Sequence, residues 1–369
     1  LLAGSLLVAL TATYGEYVTN GGLAIQLTVM AVTSILLVWA ATPHHLRLAA
    51  SGFIACASAS AVAALGQAIG VVPEELFQLE GAEMHRPSGF HPEPDWLGLY
   101  CAAAIVLLFV YPFRNRVRVP LILLNVFGVA FASARAAILG LLVVLTLAAL
   151  AWVGGNRGQK RSNLRLKLPV AALVASVTAF AFLQPVAMEL LLERIGGAIN
   201  PMERDHAVEV RFYQVDGLVA MGEDAPWYGF GLSSAGRVSG YGDIVYSGDV
   251  TGSTASNWLL GLWVDAQALA IPLILVLVYL SMLGRKEYGG RGLLALILVN
   301  SLFSNALFFP ITWFAIALAL TRVPRPSALS TRRKARPRPL LNEERRQMIR
   351  RQVEARQAAP QSSRTPAPQ

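Results

Sequence analysis

Through most of this chain the apolar residues come in long runs rather than at one face of a period. Runs at 1–13, 21–41, 46–70, 96–111, 118–133, 136–153, 168–188, 257–283, 292–307 and 308–322 are separated by short polar connections and by two long ones, 71–95 and 189–256. Most of these runs approach or reach the roughly 17–25 residues that a helix needs to cross the hydrocarbon core of a bilayer. Inside a bilayer every backbone amide and carbonyl must be satisfied within the protein, so such runs are expected to be helical. The pattern predicts an all-α integral membrane protein with about ten transmembrane helices. Leu1 opens inside an apolar run, so the amino terminus reads as trimmed, and the count falls to nine if 1–13 is not a true span. The final pair shares the 31 residues of 292–322, which calls for a tight hairpin near Phe309–Pro310 and at least one short helix.

The polar connections sort by charge. Those at 43–47, 114–118, 156–167 and 285–291 are basic, as is everything after 322, whereas 14–20, 71–95 and 189–256 are acidic or neutral. The loop 71–95 has six acidic residues against Arg86 alone, and 189–256 has ten against four arginines. The two classes alternate without a break, and basic connections stay in the cytoplasm. Both long loops are therefore expected outside, with the carboxy-terminal tail inside.

Composition agrees with a membrane domain. The chain is 55% hydrophobic and 14% charged, where a soluble domain carries about 25% charged residues. Its net charge of +9 resides wholly in 323–369, with twelve Lys/Arg and three Glu, so the basicity belongs to a tail and not to a nucleic-acid surface. That tail is Pro-, Ser- and Gln-rich at its ends and reads as mostly disordered, with a short charged helix near 342–357. Its arginines are expected to meet anionic lipid headgroups. Cys56 and Cys101 both fall in apolar spans, which gives neither a disulfide framework nor a thiolate metal site.

Within 189–256 the residues after Asp205 form an amphipathic helix, with Asp205 as its N-cap, Val208, Phe212, Val215 and Val219 on one stripe, and Gly222 as its stop. Arg211 sits at the edge of that stripe, in the company of Arg194, Arg204 and Arg237. Guanidinium forks match phosphate oxygens, so an outer cavity walled by them suits a phosphate or pyrophosphate. The turn PWYGFG at 226–231 follows, and the whole stretch reads as a lid over a site at the membrane surface. Arg135 lies at the outer edge of two apolar runs, against the topological preference for arginine, and so asks for a functional reason. In HRPSGFHPEPDWLG (85–98) the prolines and glycine make a stiff turn, and Asp95 and Trp96 open the next span. His85 and His91 have no metal-ligand spacing, and no metal or cofactor is expected. Asp265 lies about two turns inside 257–283, either paired within the bundle or part of the site.

Taken together, these segments resemble the O-antigen ligase and polymerase-like family of bacterial envelope glycosyltransferases, from about 86 to 310. RPSGFHPEPDWLG (86–98) is similar to that family's R-x-S-G segment, with Asp95 in place of the usual Asn. SAR (133–135) is similar to its S-x-S-R motif, and Arg211 through PWYGFG to its R…P-x-x-G-x-G motif. SNWLLGLWVDAQALAIPLIL (256–275) is similar to its H-N-x-x-L…E-x-G-x-x-G segment. The resemblance implies a GT-C-like polytopic domain over 1–322 with one large extracytoplasmic loop at 189–256, in a bacterial cytoplasmic (inner) membrane. It implies metal-independent transfer of a glycan from undecaprenyl pyrophosphate to a lipid A-core or glycan acceptor on the outer face. It carries catalytic roles to Arg135, Arg211, Ser256 and Asn257. Substrate contacts would fall to Arg86, Asp95, Trp96, Arg204, His206, Tyr228 and Asp265.

One departure stands out. The family's functional His is Ser256 here, and a serine hydroxyl cannot serve as a base near neutral pH as an imidazole can. Either His206 or another loop residue takes the role, or leaving-group stabilisation suffices, or the chain is a polymerase-like or divergent member. The last is the favoured expectation. A lipid-linked glycan transporter or flippase, and a non-catalytic envelope scaffold, are the competing readings.

Overall fold

The structure, a computed structural model, describes residues 17–73, 76, 86–111, 113–155, 206–235, 257–283, 289–304, 306–321 and 342–357. The chain divides into two compact units, Leu1–Arg322 and Val323–Gln369. Regular structure among the described residues is helical throughout. In the first unit it comprises α1 (Tyr17–Ala40), α2 (Pro43–Ala68), α3 (Pro94–Val110), α4 (Asn115–Ala132) and α5 (Arg135–Gly155). It continues with α6 (His206–Asp224), α7 (Trp258–Ala266), α8 (Ala270–Leu283), α9 (Gly290–Asn300) and α10 (Pro310–Leu320). The second unit contains α11 (Asn342–Gln357).

Local chemistry explains the boundaries. α2 starts on a capping box: the Thr42 hydroxyl accepts from the His45 amide at 3.3 Å, with Pro43 at the first helical position. Prolines also open α3 and α10. α4 ends because Ser133 takes a left-handed conformation (φ 48°), which leaves only Ser133 and Ala134 before α5 begins at Arg135.

Four segments are long and apolar enough to cross a membrane: Leu23–Ala40, Pro43–Ala68, Asn115–Ala132 and Trp258–Leu283. α3, the Arg135–Ala148 part of α5, α9 and α10 are shorter apolar helices. Of the ten expected spans, 1–13 and 168–188 lie outside the described residues. Two others are corrected. The run 292–307 stays α-helical only to Asn300, and 308–322 only from Pro310 to Leu320, with a 3₁₀ turn at Ala306–Phe308 between them. At 11 residues, each of these helices is about 16 Å long. The apolar run continues through the junction, but Asn300, Ser301 and Thr312 bend it. The Asn300 amide donates to Ser304 Oγ at 2.9 Å and the Ser301 hydroxyl accepts from the Ala306 amide at 3.2 Å.

The third correction concerns 257–283, which is interrupted at Gln267–Leu269 by a short 3₁₀ turn. Gln267 has φ 43°, a conformation that L side chains rarely adopt.

Small residues let the helices approach. A side chain at Gly128 would meet Cys101 Sγ and Ala61 Cβ, so α2, α3 and α4 cross closely there. Asn125 on α4, fully buried, donates to Ser58 Oγ on α2 at 2.8 Å. At one end, Val110 of α3 abuts Gly289, and Gly290 abuts the backbone of Leu318 and Ala319. The outward side chains are apolar, among them Ile25, Ile35 and Trp39 on α1 and Leu275, Tyr279 and Leu283 on α8. That is the surface a bundle presents to lipid.

Candidate functional site

At the opposite end from Gly289 the segment before α3 folds back on α2. The Gln67 side-chain carbonyl accepts from the amides of Ser88 (3.0 Å) and Gly89 (2.8 Å), and Ser60 Oγ accepts from the Phe90 amide at 3.0 Å. Gly89 (φ 61°) lies so close to Ser60 that any Cβ would collide with its carbonyl. This anchoring aims Arg86 at the α4–α5 turn, where its guanidinium donates to the Ala132 carbonyl at 3.1 Å and pairs with the Asp95 carboxylate at 3.5 Å. Asp95 occupies the first turn of α3, where the helix dipole favours a carboxylate.

Three residues further along α3, Gly98 has Ala132, Ala134 and Ala137 against it. The start of α3 and the turn before Arg135 are thereby in contact. Arg135, half-buried, is the first residue of α5. Arg86, Asp95, Trp96 and the backbone of Arg135 are thus brought to one neighbourhood. Trp96 packs against Phe309 with ring centroids 4.1 Å apart and planes tilted by 59°, which ties this corner to the α9–α10 junction. His91 lies beside Tyr100 at 4.8 Å, and burial holds its imidazole below the ordinary pKa of 6.5.

Asn257 reaches the same junction. Its side-chain amide donates to the Leu302 carbonyl at 3.0 Å, and the Trp258 amide donates to the Ser301 carbonyl at 3.0 Å. Asn257 Oδ1 accepts from the amides of Leu259 and Leu260, at 2.9 and 3.2 Å. It is the N-cap of α7, and both halves of its side-chain amide hold backbone. On the other flank, a Cβ on Gly140 of α5 would meet Leu296 and approach the Asn300 amide. Two buried polar atoms at this end, Ser88 Oγ and Trp258 Nε1, have no hydrogen-bond partner among the described residues.

The break between α7 and α8 is filled by the turn 226–235. The amides of Phe230 and Gly231 donate to the carbonyls of Val264 (3.0 Å) and Asp265 (3.1 Å), and the Ala268 amide donates to the Trp227 carbonyl at 3.2 Å. The Gln267 side-chain amide donates to the Gly222 carbonyl. These bonds replace ladder bonds that the interruption removes. The Asp265 carboxylate, 5% exposed, accepts from the amides of Ser233 (2.8 Å) and Ser234 (2.9 Å) and from Ser234 Oγ (2.8 Å). Asp265 thus clamps this turn through its carboxylate. Gly229 (φ 82°) lies against the Asp265 carbonyl and Ala266 amide, where no Cβ fits. Trp227 and Tyr228 stand on the outside of the turn, 70% and 43% exposed, edge to face at 5.6 Å.

The amphipathic helix also differs from its expectation. α6 buries Leu218, Met221 and Gly222 against α7, while Val219 is 43% exposed, so the buried stripe is rotated from the expected one. Gly222 is not a stop, because α6 continues to Asp224. Its missing side chain admits the Trp263 ring, with Cδ1 2.9 Å from where a Cβ would be. His206 and Arg211 are on α6, but their side chains lie outside the described residues, as do Asp205, Arg194, Arg204, Arg237 and Ser256 entirely.

The three non-glycine residues with positive φ among those described are Ser133, Ser233 and Gln267. Each falls in or beside a motif singled out by its residues: SAR, the PWYGFG turn and the Asp265 segment. Strain of this kind concentrates at sites where geometry serves more than stability. Sequence reasoning missed Ser60, Gln67, Ser233, Ser234 and Gln267. Two of them, Gln67 and Gln267, left a visible signal as lone amides in apolar runs. No protein-family model matches the chain, and no curated protein matches it either.

Proposed function

We propose that this protein transfers a glycan from an undecaprenyl-pyrophosphate carrier to a lipid or glycan acceptor on the outer face of a bacterial cytoplasmic membrane, as an O-antigen ligase or surface-polysaccharide polymerase. The observation that carries the reading is the meeting of Arg86 with the SAR turn, through the Ala132 carbonyl at 3.1 Å, beside Asp95. Segments 46 residues apart, each resembling a motif of that family, converge at the acidic-loop end of an apolar helical bundle.

In this reaction the acceptor hydroxyl oxygen attacks the anomeric carbon and the bond from that carbon to the pyrophosphate oxygen breaks. The electron pair leaves on the pyrophosphate, and the hydroxyl proton passes to solvent or a loop base. Charge develops on the leaving group, so guanidinium groups of Arg135 and Arg211 aimed at its oxygens lower the barrier. Asn257 and Asp265 both hold backbone, and the reading therefore assigns the main driving force to leaving-group stabilisation. Apolar helix faces would receive the polyprenyl chain. The Trp227–Tyr228 turn, braced by the helix break, would help to place the acceptor.

The test uses purified protein with a lipid-pyrophosphate oligosaccharide, following glycan elongation or movement to a second lipid. Arg135→Ala and Arg211→Ala should each slow turnover about 100-fold or more, with unchanged elution on size-exclusion chromatography. Wild-type rates in both variants would remove the proposal. A transporter of the same lipid-linked glycan is the second reading, favoured by the interrupted helix at 266–270, since transporters build sites at discontinuous helices. A transporter would leave the glycan–pyrophosphate bond intact in detergent solution, where a transferase still turns over.

A further inference from the structure

The second unit contains one described helix, α11, with the sequence NEERRQMIRRQVEARQ. Ile349 and Val353 are one helical turn apart, so they form a ridge, and they are 53% and 49% exposed. Met348, 51% exposed, lies about 100° round the helix from Ile349, off this ridge. At about 100° per residue, Arg346 and Arg350 run as a second pair one turn apart along one side of the ridge. Arg345 and Arg356 take register positions along its other side. The acidic residues Glu343, Glu344 and Glu354 all fall about 100° or more away from the ridge line. The helix therefore presents a narrow aliphatic strip bracketed by four arginine positions, with the acidic positions off its line.

We propose that α11 is an interfacial helix that lies in the headgroup layer of an anionic bilayer, with Ile349 and Val353 inserted and the arginines on lipid phosphates. The charge complementarity is specific to that occupant. Arginine stems can lie along the acyl boundary while their guanidinium heads remain among phosphates, and basic residues near an anionic leaflet each add to attachment. Two aliphatic side chains alone bind a neutral surface poorly, and arginines alone do not need a strip between them. The two features together match a helix whose binding needs both surface charge and shallow insertion. The 21 residues between α10 and α11 can extend at most about 75 Å, so the membrane crossed by the first unit stays within reach. This inference is independent of the glycan-transfer reading.

The experiment places the full chain in nanodiscs of phosphatidylcholine, with or without about a third phosphatidylglycerol, and follows amide hydrogen exchange across 342–357. Exchange in α11 should be about tenfold slower or more in the anionic discs, with protection lost when salt is raised to shorten the screening length. Arg346→Gln with Arg350→Gln should weaken attachment by about 25-fold, fivefold for each arginine. Ile349→Gln with Val353→Gln should also remove protection, and glutamine keeps the helix because its propensity is no lower than that of the residues replaced. Equal exchange in both lipids overturns the proposal. So does protection in neutral discs, which would mean a protein contact, and so does protection that survives Ile349→Gln with Val353→Gln, which would mean a purely electrostatic tail.

Discussion

The carboxylate of Asp265 takes its hydrogen bonds from residues 31 and 32 positions earlier in the chain, and it is 5% exposed. A buried amide stripped of its acceptor costs about 1–3 kcal/mol. Asp265→Ala leaves two such amides, Ser233 and Ser234, and should destabilise the protein by about 3 kcal/mol or more. Asp265→Asn keeps one oxygen and should cost roughly half as much. Thermal unfolding in detergent measures the first effect, and chymotrypsin cleavage at the exposed Trp227–Tyr228 pair reports whether the turn has come loose. An alanine variant with wild-type melting and cleavage would show that the clamp is idle. From the sequence, Asp265 was legible as a charge needing a partner inside an apolar run. The partners were not legible, because they are mainly backbone amides of serines, and amides are present at nearly every position of any chain.

Between elements, the decisive contacts are made by residues with little or no side chain. Gly98 on α3 sits on Ala132, Ala134 and Ala137, while Gly52 on α2 has nothing within 4 Å. Gly98→Ala must push α3 away from the turn that carries Arg135, at a cost of about 1–3 kcal/mol. Gly52→Ala should be neutral or stabilising by up to about 1 kcal/mol, since alanine is the better helix former. Melting temperatures of the two variants should therefore move in opposite directions, or the second not at all. Element type was largely legible: apolar runs gave helices, and the starts at Pro43, Pro94 and Pro310 follow from proline at the first helical position. Interruptions were less so. Pro272 in WVDAQALAIPL signals a weak point in the ladder, since it has no amide for the carbonyl of Ala268. The conformation of Gln267 is not readable there, because it depends on the turn 226–235 that occupies the gap. Gly222 looked like a terminator and is a notch for Trp263, a distinction that only packing makes.

At the scale of the molecule α2 serves as a ruler. Cys101 Sγ lies against the Ala57 carbonyl, 3.9 Å away. Ala57 is 14 residues, about 21 Å, above Pro43, and Trp96 is five residues, about 7 Å, further on along the antiparallel α3. The corner holding Arg86, Asp95 and Trp96 is thus about 28 Å from the far end of α2, close to the roughly 30 Å of a hydrocarbon core. The basic connection 114–118 follows the opposite end of α3. In a background lacking Cys56 and Cys101, a thiol from Phe90→Cys should react with a membrane-impermeant maleimide on intact cells. A thiol from Arg116→Cys should react only after permeabilisation. The reverse pattern would invert the assignment of sides. The alternation of acidic and basic connections is what predicts the sidedness that this labelling tests, whereas the number of complete crossings was not readable, since α9 and α10 divide one apolar stretch into two short helices. The interrupted helix has one further consequence, for biosynthesis. Residues 226–235 leave the ribosome before 257–283 do, so the peptide whose amides bond the carbonyls of Val264 and Asp265 is already made when that helix enters the translocon. A circular permutant that delivered the turn last would insert a helix with a gap in its ladder, and lipid has nothing with which to fill it.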